Sequence, residues 1–294
     1  MAVPITKAHH YIPRGYLKRW ATGADGKLCV FHHHPRGLTF TRQTAAQTGY
    51  RKHLYTATLN PQFADKLERE FMSKVDDEAS KLIDLFTLGA IPELDAKQRD
   101  GWTRFLMSLM YRSPEGVARI REKFAEILSR SPIEITPEMR TEYATKRIPE
   151  HPESLEDYLA MMRPRDVELG TMMSVANVSD MEGPGTKINA MEQRVLHLQA
   201  SKRELLTSDR PLIMSAGLDD PTCFLMLAIS PRHLFIATHT KERMAQILHH
   251  VDSGAVTKFN NQGVCERAEQ FVYGTDASQV NCVKKFFAIN VRQD

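Results

Sequence analysis

Residues 223–239 read CFLMLAISPRHLFIATH. The stretch is apolar, short in its runs and broken by Pro231, which reads as strand. Working upstream, ELLTSDRPLIMS (204–215) and INAMEQRVLHLQA (188–200) have the same character, and SDMEGPGTK (179–187) reads as the loop that introduces them. Before that loop the period changes to helical. Phe63, Leu67, Phe71, Val75, Ala79, Leu82, Ile83 and Phe86 mark one helix from Pro61 to Leu88, ended by Gly89 and Pro92. A second helix spans Asp95 to about Tyr111. A third follows Pro114 to about Ser129, before breaks at Ser131-Pro132 and Thr136-Pro137. Further helices begin at Thr136 and at Ser154, the last with Pro164 as a point of interruption.

Downstream of 239, a helix from Lys241 to about Val251 and a helical stretch around Phe259–Tyr273 precede VKKFFAINV (283–291), read as a closing strand. At the other end, a short helix follows Pro13 and carries Tyr16, Leu17 and Trp20. Leu28 and Val30, with Thr39 and Phe40, flank a His-His-His-Pro-Arg-Gly turn, which reads as a β-hairpin. The order is hairpin, helices, then mixed sheet, so the class is α+β. We take 1–294 as a single domain, with a basic hairpin segment over 1–60, a helical part over 61–178 and a sheet-rich part over 188–294.

No run of eighteen apolar residues is present and the first ten residues lack a hydrophobic leader, so a cytoplasmic protein without membrane contact is expected. Cys29, Cys223, Cys265 and Cys282 are far apart in sequence, with no C-x-x-C pair, and read as reduced, mostly buried thiols. The charge is uneven. Met1 to Leu54 holds nine Lys or Arg and one acid, Asp25, a net +8 that leaves −5 for the rest of a chain whose total is +3. Six histidines share that segment (His9, His10, His32, His33, His34 and His53). Such asymmetry is a footprint of polyanion binding, nucleic acid above all, although a solvated basic face would look the same.

Four constellations could carry chemistry. In HHYIPRGYL (9–17), Arg14 can hold a phosphate with two hydrogen bonds, Tyr11 or Tyr16 can stack on a base, and His10 can donate to a leaving group. The other reading is a folded cap whose tyrosines are core. In LLTSDRP (205–211), Asp209 stands at a strand end, placed either to enter a site or to make an Asx-type turn, with Ser208 beside it. In FNNQ (259–262), Asn260 can read a base edge or cap a helix. Glu68, Glu70, Asp76, Asp77 and Glu78 read most simply as a solvated helix face. Adjacent histidines 32–34 alternate faces on a strand and make a poor metal triad. No H-E-x-x-H, P-loop, G-x-S-x-G or zinc-deaminase motif occurs.

Together HHYIPRGYLKRW, Glu68, R-S-P at 112–114, T-S-D-R-P at 207–211, I-S-P-R at 229–232 and F-N-N with Ala268 resemble a bacterial family catalogued as a domain of unknown function. Its members open with an H-Y-x-P-x-x-Y-L signature. The resemblance spans nearly the whole chain. It implies kinship with phage-defence DNA glycosylases that excise glucosylated hydroxymethylcytosine from modified double-stranded phage DNA, with no metal or organic cofactor. In that reading basic residues grip phosphates while the base is flipped, and a carboxylate stabilises an oxocarbenium-like sugar. Asp209 is the expected carboxylate, with Glu68 next, and His10 or Arg14 assists. His9, Arg14, Tyr16, Lys18, Arg19, Ser208 and Asn260 make up the expected DNA-binding set. Familiar glycosylase landmarks, a helix-hairpin-helix or a uracil-type water-activating loop, are absent. Two other expectations stand beside it: a metal-dependent nuclease liganded by His9, His10, Glu68 and Asp209, and a non-enzymatic nucleic-acid-binding module.

Overall fold

Pro13 fixes its own φ and starts a helix without needing an amide donor. In the computed structural model a three-residue strand, β1 (Ala8–His10), therefore turns at once into α1 (Arg14–Leu17), extended by a 3-10 turn over Lys18–Trp20. The structure describes residues 8–34, 37–55, 67–88, 94–130, 133–179, 181–199, 201–251 and 254–287. The expected hairpin forms from β2 (Leu28–His34) and β3 (Gly37–Gln43), with Val30 opposite Thr41. β4 (Tyr50–Lys52) then returns to pair with β1. Gly49 makes that return at a φ of +66°, and a Cβ there would meet Leu17 and Ile12 at 3.0 and 3.2 Å.

The helical part opens with a π-helical turn, Leu67–Met72, that runs into α2 (Ser73–Thr87). The predicted stripe Val75, Ala79, Leu82, Ile83 and Phe86 is buried; Phe63, Gly89, Pro92, Ser131 and Pro132 lie outside the described residues. α3 (Ala96–Tyr111) starts from a capping box between Asp95 and Gln98. α4 (Pro114–Arg130) follows, then α5 (Pro137–Lys146) with Thr136 as cap. Pro164 does not interrupt α6 (Leu155–Ser179). The expected loop at 179–187 is instead largely α7 (Glu182–Ala190). Pro184 falls in its first turn, where no intrahelical amide donor is required, and Ile188 anchors it in the core.

The remaining elements are β5 (Glu192–His197), β6 (Thr207–Ser208), β7 (Ile213–Met214), β8 (Phe224–Ala228), β9 (His233–Thr238), α8 (Lys241–Leu248), α9 (Ala255–Arg267), β10 (Phe271–Gly274) and α10 (Val280–Phe286). Two readings need correction. Tyr273 is in a strand, and Val283–Phe286 are helical, because short apolar runs such as VKKFF fit either state; residues 288–291 of the expected closing strand lie outside the described residues. Besides the β1-β4 pair, the described strands form two four-stranded antiparallel sheets, ordered β3-β2-β10-β6 and β5-β9-β8-β7. The N-terminal hairpin thus shares a sheet with β10, the last strand among the described residues. The class is α+β.

One apolar core runs from Tyr11 to Phe287 and takes in all three parts of the chain. Trp102 of α3 packs on Phe86 and Phe235 with ring centres 5.0 and 5.1 Å apart, joining the helices to the second sheet. A large apolar side chain so enclosed contributes about 1.5–3 kcal/mol. Beyond Val117, no residue of α4 is fully buried, and none of α5 is. Among the described residues, no helix is long and apolar enough to cross a membrane.

Candidate functional site

Successive side chains on β1 point to opposite faces. His9 faces inward and is fully buried; its Nδ1 accepts the Tyr55 amide at 2.8 Å and its ring stacks on Tyr55. His10 is half-buried, and its Nε2 is enclosed without a hydrogen-bond partner. Burial first, then the Arg14 charge, hold its pKa down at about 4, so the ring is neutral at pH 7. The His10 carbonyl accepts Arg112 Nη2 at 2.7 Å, and the same buried guanidinium grips both Asp76 oxygens at 2.6 and 2.9 Å. Tyr55 donates its hydroxyl to the Arg112 carbonyl at 2.6 Å. Burial first, and then the charge of Glu68 in the π-helical turn, raise the phenol pKa of Tyr55; against its own burial, Arg112 is kept charged by Asp76 above all, with Glu68 adding to it. Asp76 therefore does not belong to a solvated helix face. Its place on α2 points it at Arg112, which a count of charges along the helix could not reveal.

Tyr16 is core rather than a stacking platform. Its hydroxyl donates to the Ala228 carbonyl at 2.6 Å and lies 2.7 Å from Thr207 Oγ1, with the ring enclosed. Trp20 Nε1 donates to the Leu205 carbonyl at 2.8 Å. The first motif is thus clamped onto the strand that leads to Asp209. Among the expected N-terminal phosphate-gripping residues, Arg14 and Lys18 are exposed. Arg19 instead pairs with Asp84 and donates to the Ser80 carbonyl at 3.1 Å.

Asp209 is buried, with its carboxylate turned to the chain at the start of β10. Oδ1 accepts Glu269 N at 2.9 Å, and Oδ2 accepts Gln270 N and Phe271 N at 2.6 and 3.0 Å. Burial pushes this carboxyl up to about 7, against the pull of those three amides. Its oxygens are committed, and it neither enters an open site nor bonds its own turn. Ser208 is fully buried, its Oγ accepting Arg210 N at 3.1 Å. Asn260 is fully buried in the middle of α9, donating to the Leu206 carbonyl at 3.1 Å, so it is neither a cap nor free to meet a base. Asn261 receives Leu206 N at 2.8 Å and donates to the Glu204 carbonyl at 2.8 Å. Among the described residues, no three His, Cys, Asp or Glu side chains gather as a metal site, so His9, His10, Glu68 and Asp209 are not one ligand set.

A cavity of about 930 Å³ is lined by Arg42 of the hairpin, Lys202, Arg203, Arg232, Lys258 of α9 and Lys285 of α10. Two acids, Glu204 and Asp276, also line it. Glu204 accepts the Thr275 hydroxyl and lies 3.5 Å from Arg232. Gln279 and Asn261 bond each other at 2.8 Å and both hold the Glu204 carbonyl, fixing the wall beneath it. Asp276 Oδ1 accepts Ser278 N at 2.9 Å.

A family model described as "Protein of unknown function (DUF4238)" matches residues 8–278. The chain belongs to that family. No curated protein and no solved structure matches it. The match begins at β1 and ends beside the basic cavity, so it embraces both the His9–Arg112 cluster and the walls around Glu204.

Of the expected site residues, the fold brings His9, His10 and Glu68 towards one cluster and sets Asp209, Ser208 and Asn260 in the interior as scaffold. What the sequence did not reveal is the cavity. Its six cations come from five separated places, each carrying one or two charges, and all but Arg42 lie in a part of the chain that is net acidic. Arg42 was the one signal within the basic segment.

Proposed function

We propose that this member of the family binds DNA through the basic cavity, and that base excision is the reaction carried out there. The observation that supports the reading is the cavity itself: six Lys or Arg side chains around a volume of about 930 Å³. Sites for small molecules and single nucleotides run from about 300 to 1,000 Å³. Clustered cations both hold phosphates and offset the unstacking of a flipped nucleotide. Arg14 and Lys18 lie exposed on the basic segment, where a phosphate can reach them. The sugar-stabilising carboxylate assigned to Asp209 passes to Glu204. It lines the cavity, is about one-third exposed and is fixed by Thr275, whereas the Asp209 oxygens are spent on the backbone. The resemblance to phage-defence glycosylases makes glucosylated hydroxymethylcytosine the base to try first.

The experiment combines binding and excision on duplexes with plain and glucosylated bases, with alkali to reveal abasic sites and EDTA in parallel. Lys258→Ala with Lys285→Ala should weaken DNA binding of any sequence and lower the salt slope by about one unit for each phosphate no longer gripped. Glu204→Gln should keep binding and lose on the order of a hundredfold in excision rate. An unchanged salt slope in the folded double variant refutes the cavity as the DNA site. Binding without EDTA-resistant alkali-labile breaks leaves a binding module and refutes excision; EDTA-sensitive direct cleavage indicates a nuclease.

A further inference from the structure

Two of the four cysteines meet where α9 and α10 pack. Cys265 is fully buried on α9, and Cys282 is half-buried on α10, where it lines the basic cavity. The two thiols lie side by side within hydrogen-bonding reach. Arg203 and Lys285, both on the cavity wall, bear on the Cys282 sulfur. From this arrangement we infer that Cys282 is a peroxide-reactive thiol and Cys265 its resolving partner, so that the cavity carries a reversible dithiol–disulfide modification site.

Each part of the arrangement has a chemical job. The thiolate is the nucleophile, and nearby cations and a donor hydrogen bond favour it. The Cys265 thiol donates to Cys282 and, with Arg203 and Lys285, holds the Cys282 pKa below the ordinary thiol value, whereas the same neighbour and burial drive Cys265 up. A thiol so placed is more ionised at neutral pH than an ordinary one, of which a few per cent is thiolate. Exposure to the cavity gives a small oxidant access to Cys282 alone. In the first step the Cys282 thiolate attacks one oxygen of a hydroperoxide. The O–O bond breaks, an S–O bond forms, and the other oxygen leaves as hydroxide or alkoxide; sulfur loses two electrons and the peroxide gains them. In the second step the Cys265 sulfur attacks the sulfenic sulfur. An S–S bond forms, the S–O bond breaks, and the hydroxyl leaves with the Cys265 proton as water. The other two cysteines have no such setting. Cys29 and Cys223 are buried, and burial raises both pKa values.

The cross-link would tie the helix that carries Lys285 to the helix that carries Lys258. The test is chemical and does not depend on what the cavity binds. The full-length folded protein is treated with limiting iodoacetamide at pH 7, or with one equivalent of hydrogen peroxide, then digested with trypsin. Cys282 should alkylate on the order of tenfold faster than Cys29 or Cys223. Peroxide should join the peptide 259–267 to the peptide 268–284, a link that dithiothreitol reverses. Cys265→Ala should instead leave Cys282 as a sulfenic acid that dimedone traps, and Cys282→Ser should abolish both products. The inference is overturned if Cys282 reacts no faster than the buried cysteines. It is also overturned if peroxide drives the wild-type Cys282 to sulfinic acid with no linked peptide.

Discussion

Replacing Asp209 with asparagine should destabilise the fold before it touches any chemistry. Three backbone amides point at this carboxylate at 2.6–3.0 Å, two of them at Oδ2. Asparagine offers one acceptor oxygen and one NH2 group. Whichever way it is turned, one or two amides of Glu269, Gln270 and Phe271 face another donor in the interior. A buried donor left unpaired costs about 1–3 kcal/mol. Relief from burying a charge offsets part of this, so the net loss should be about 1–3 kcal/mol, against a typical total of about 5–15 kcal/mol. For a chain of this size that lowers the melting temperature by on the order of 2–10 °C. Thermal and urea unfolding of the variant, beside Asp219→Asn on the exposed surface as control, measures it. The pH dependence supplies a second readout. Burial raises the folded carboxyl from 3.8 to about 7, so its charged form is disfavoured in the fold, and this group's contribution to stability falls as pH climbs from about 4 to about 7. The variant should lack that slope. A variant that melts with the wild type yet fails to excise base would refute the reasoning and return Asp209 to the reaction.

Arg112→Ala should cost about 3–5 kcal/mol in urea unfolding, because it strands the Asp76 carboxylate of a buried pair; neither residue lines the cavity, so DNA affinity of the folded protein should hold. Tyr16→Phe removes the bonds to Ala228 and Thr207 and should cost about 1–3 kcal/mol by the same assay. His10 has a folded pKa near 4 against 6.5 unfolded, so the unfolded chain binds the proton first and stability is lost as pH falls from 6.5 through 4. His10→Ala should flatten the urea midpoints over that window, and an unchanged profile would show that another group sets it.

Periodicity suffices for α2 and α3, whose apolar stripes are long, and for the β2–β3 hairpin with its polar tip. It fails at 182–190, where glycine and proline cluster inside a first turn that tolerates them, and at 283–286, where the apolar run is too short to carry a period. Site residues fail for a different reason. Asp209, Ser208, Asn260 and Tyr16 stand out in the sequence as polar or aromatic groups beside strand ends and turns. The partners of Asp209, Asn260 and Tyr16 lie on elements about fifty to two hundred residues away, which no local pattern encodes. Buried polar groups that fasten distant segments and polar groups that meet a ligand look alike until the partners are known. The cavity cations are hidden because they come one or two at a time from separate stretches, most of them in the net-acidic part of the chain, and only folding gathers them.

The place of β10 in the first sheet has a consequence for how the chain is made. β2 has β3 on one side, available as soon as the hairpin is synthesised, and β10 on the other, where Phe271 pairs with His32 and Tyr273 with Val30. Until residues 271–274 leave the ribosome, that edge of β2 has open amides and carbonyls, with Val30 and Phe31 uncovered. Asp209 waits on the same segment, since all three of its amide donors lie at 269–271. The nascent chain must therefore carry an unsatisfied strand edge and an unclasped carboxylate until its closing stretch emerges. Closure of the sheet comes at the end, as the last strand slots between the first hairpin and β6. A chain stopped short of Phe271 would lack β10 and α10, and with β10 the link between the β2–β3 hairpin and β6.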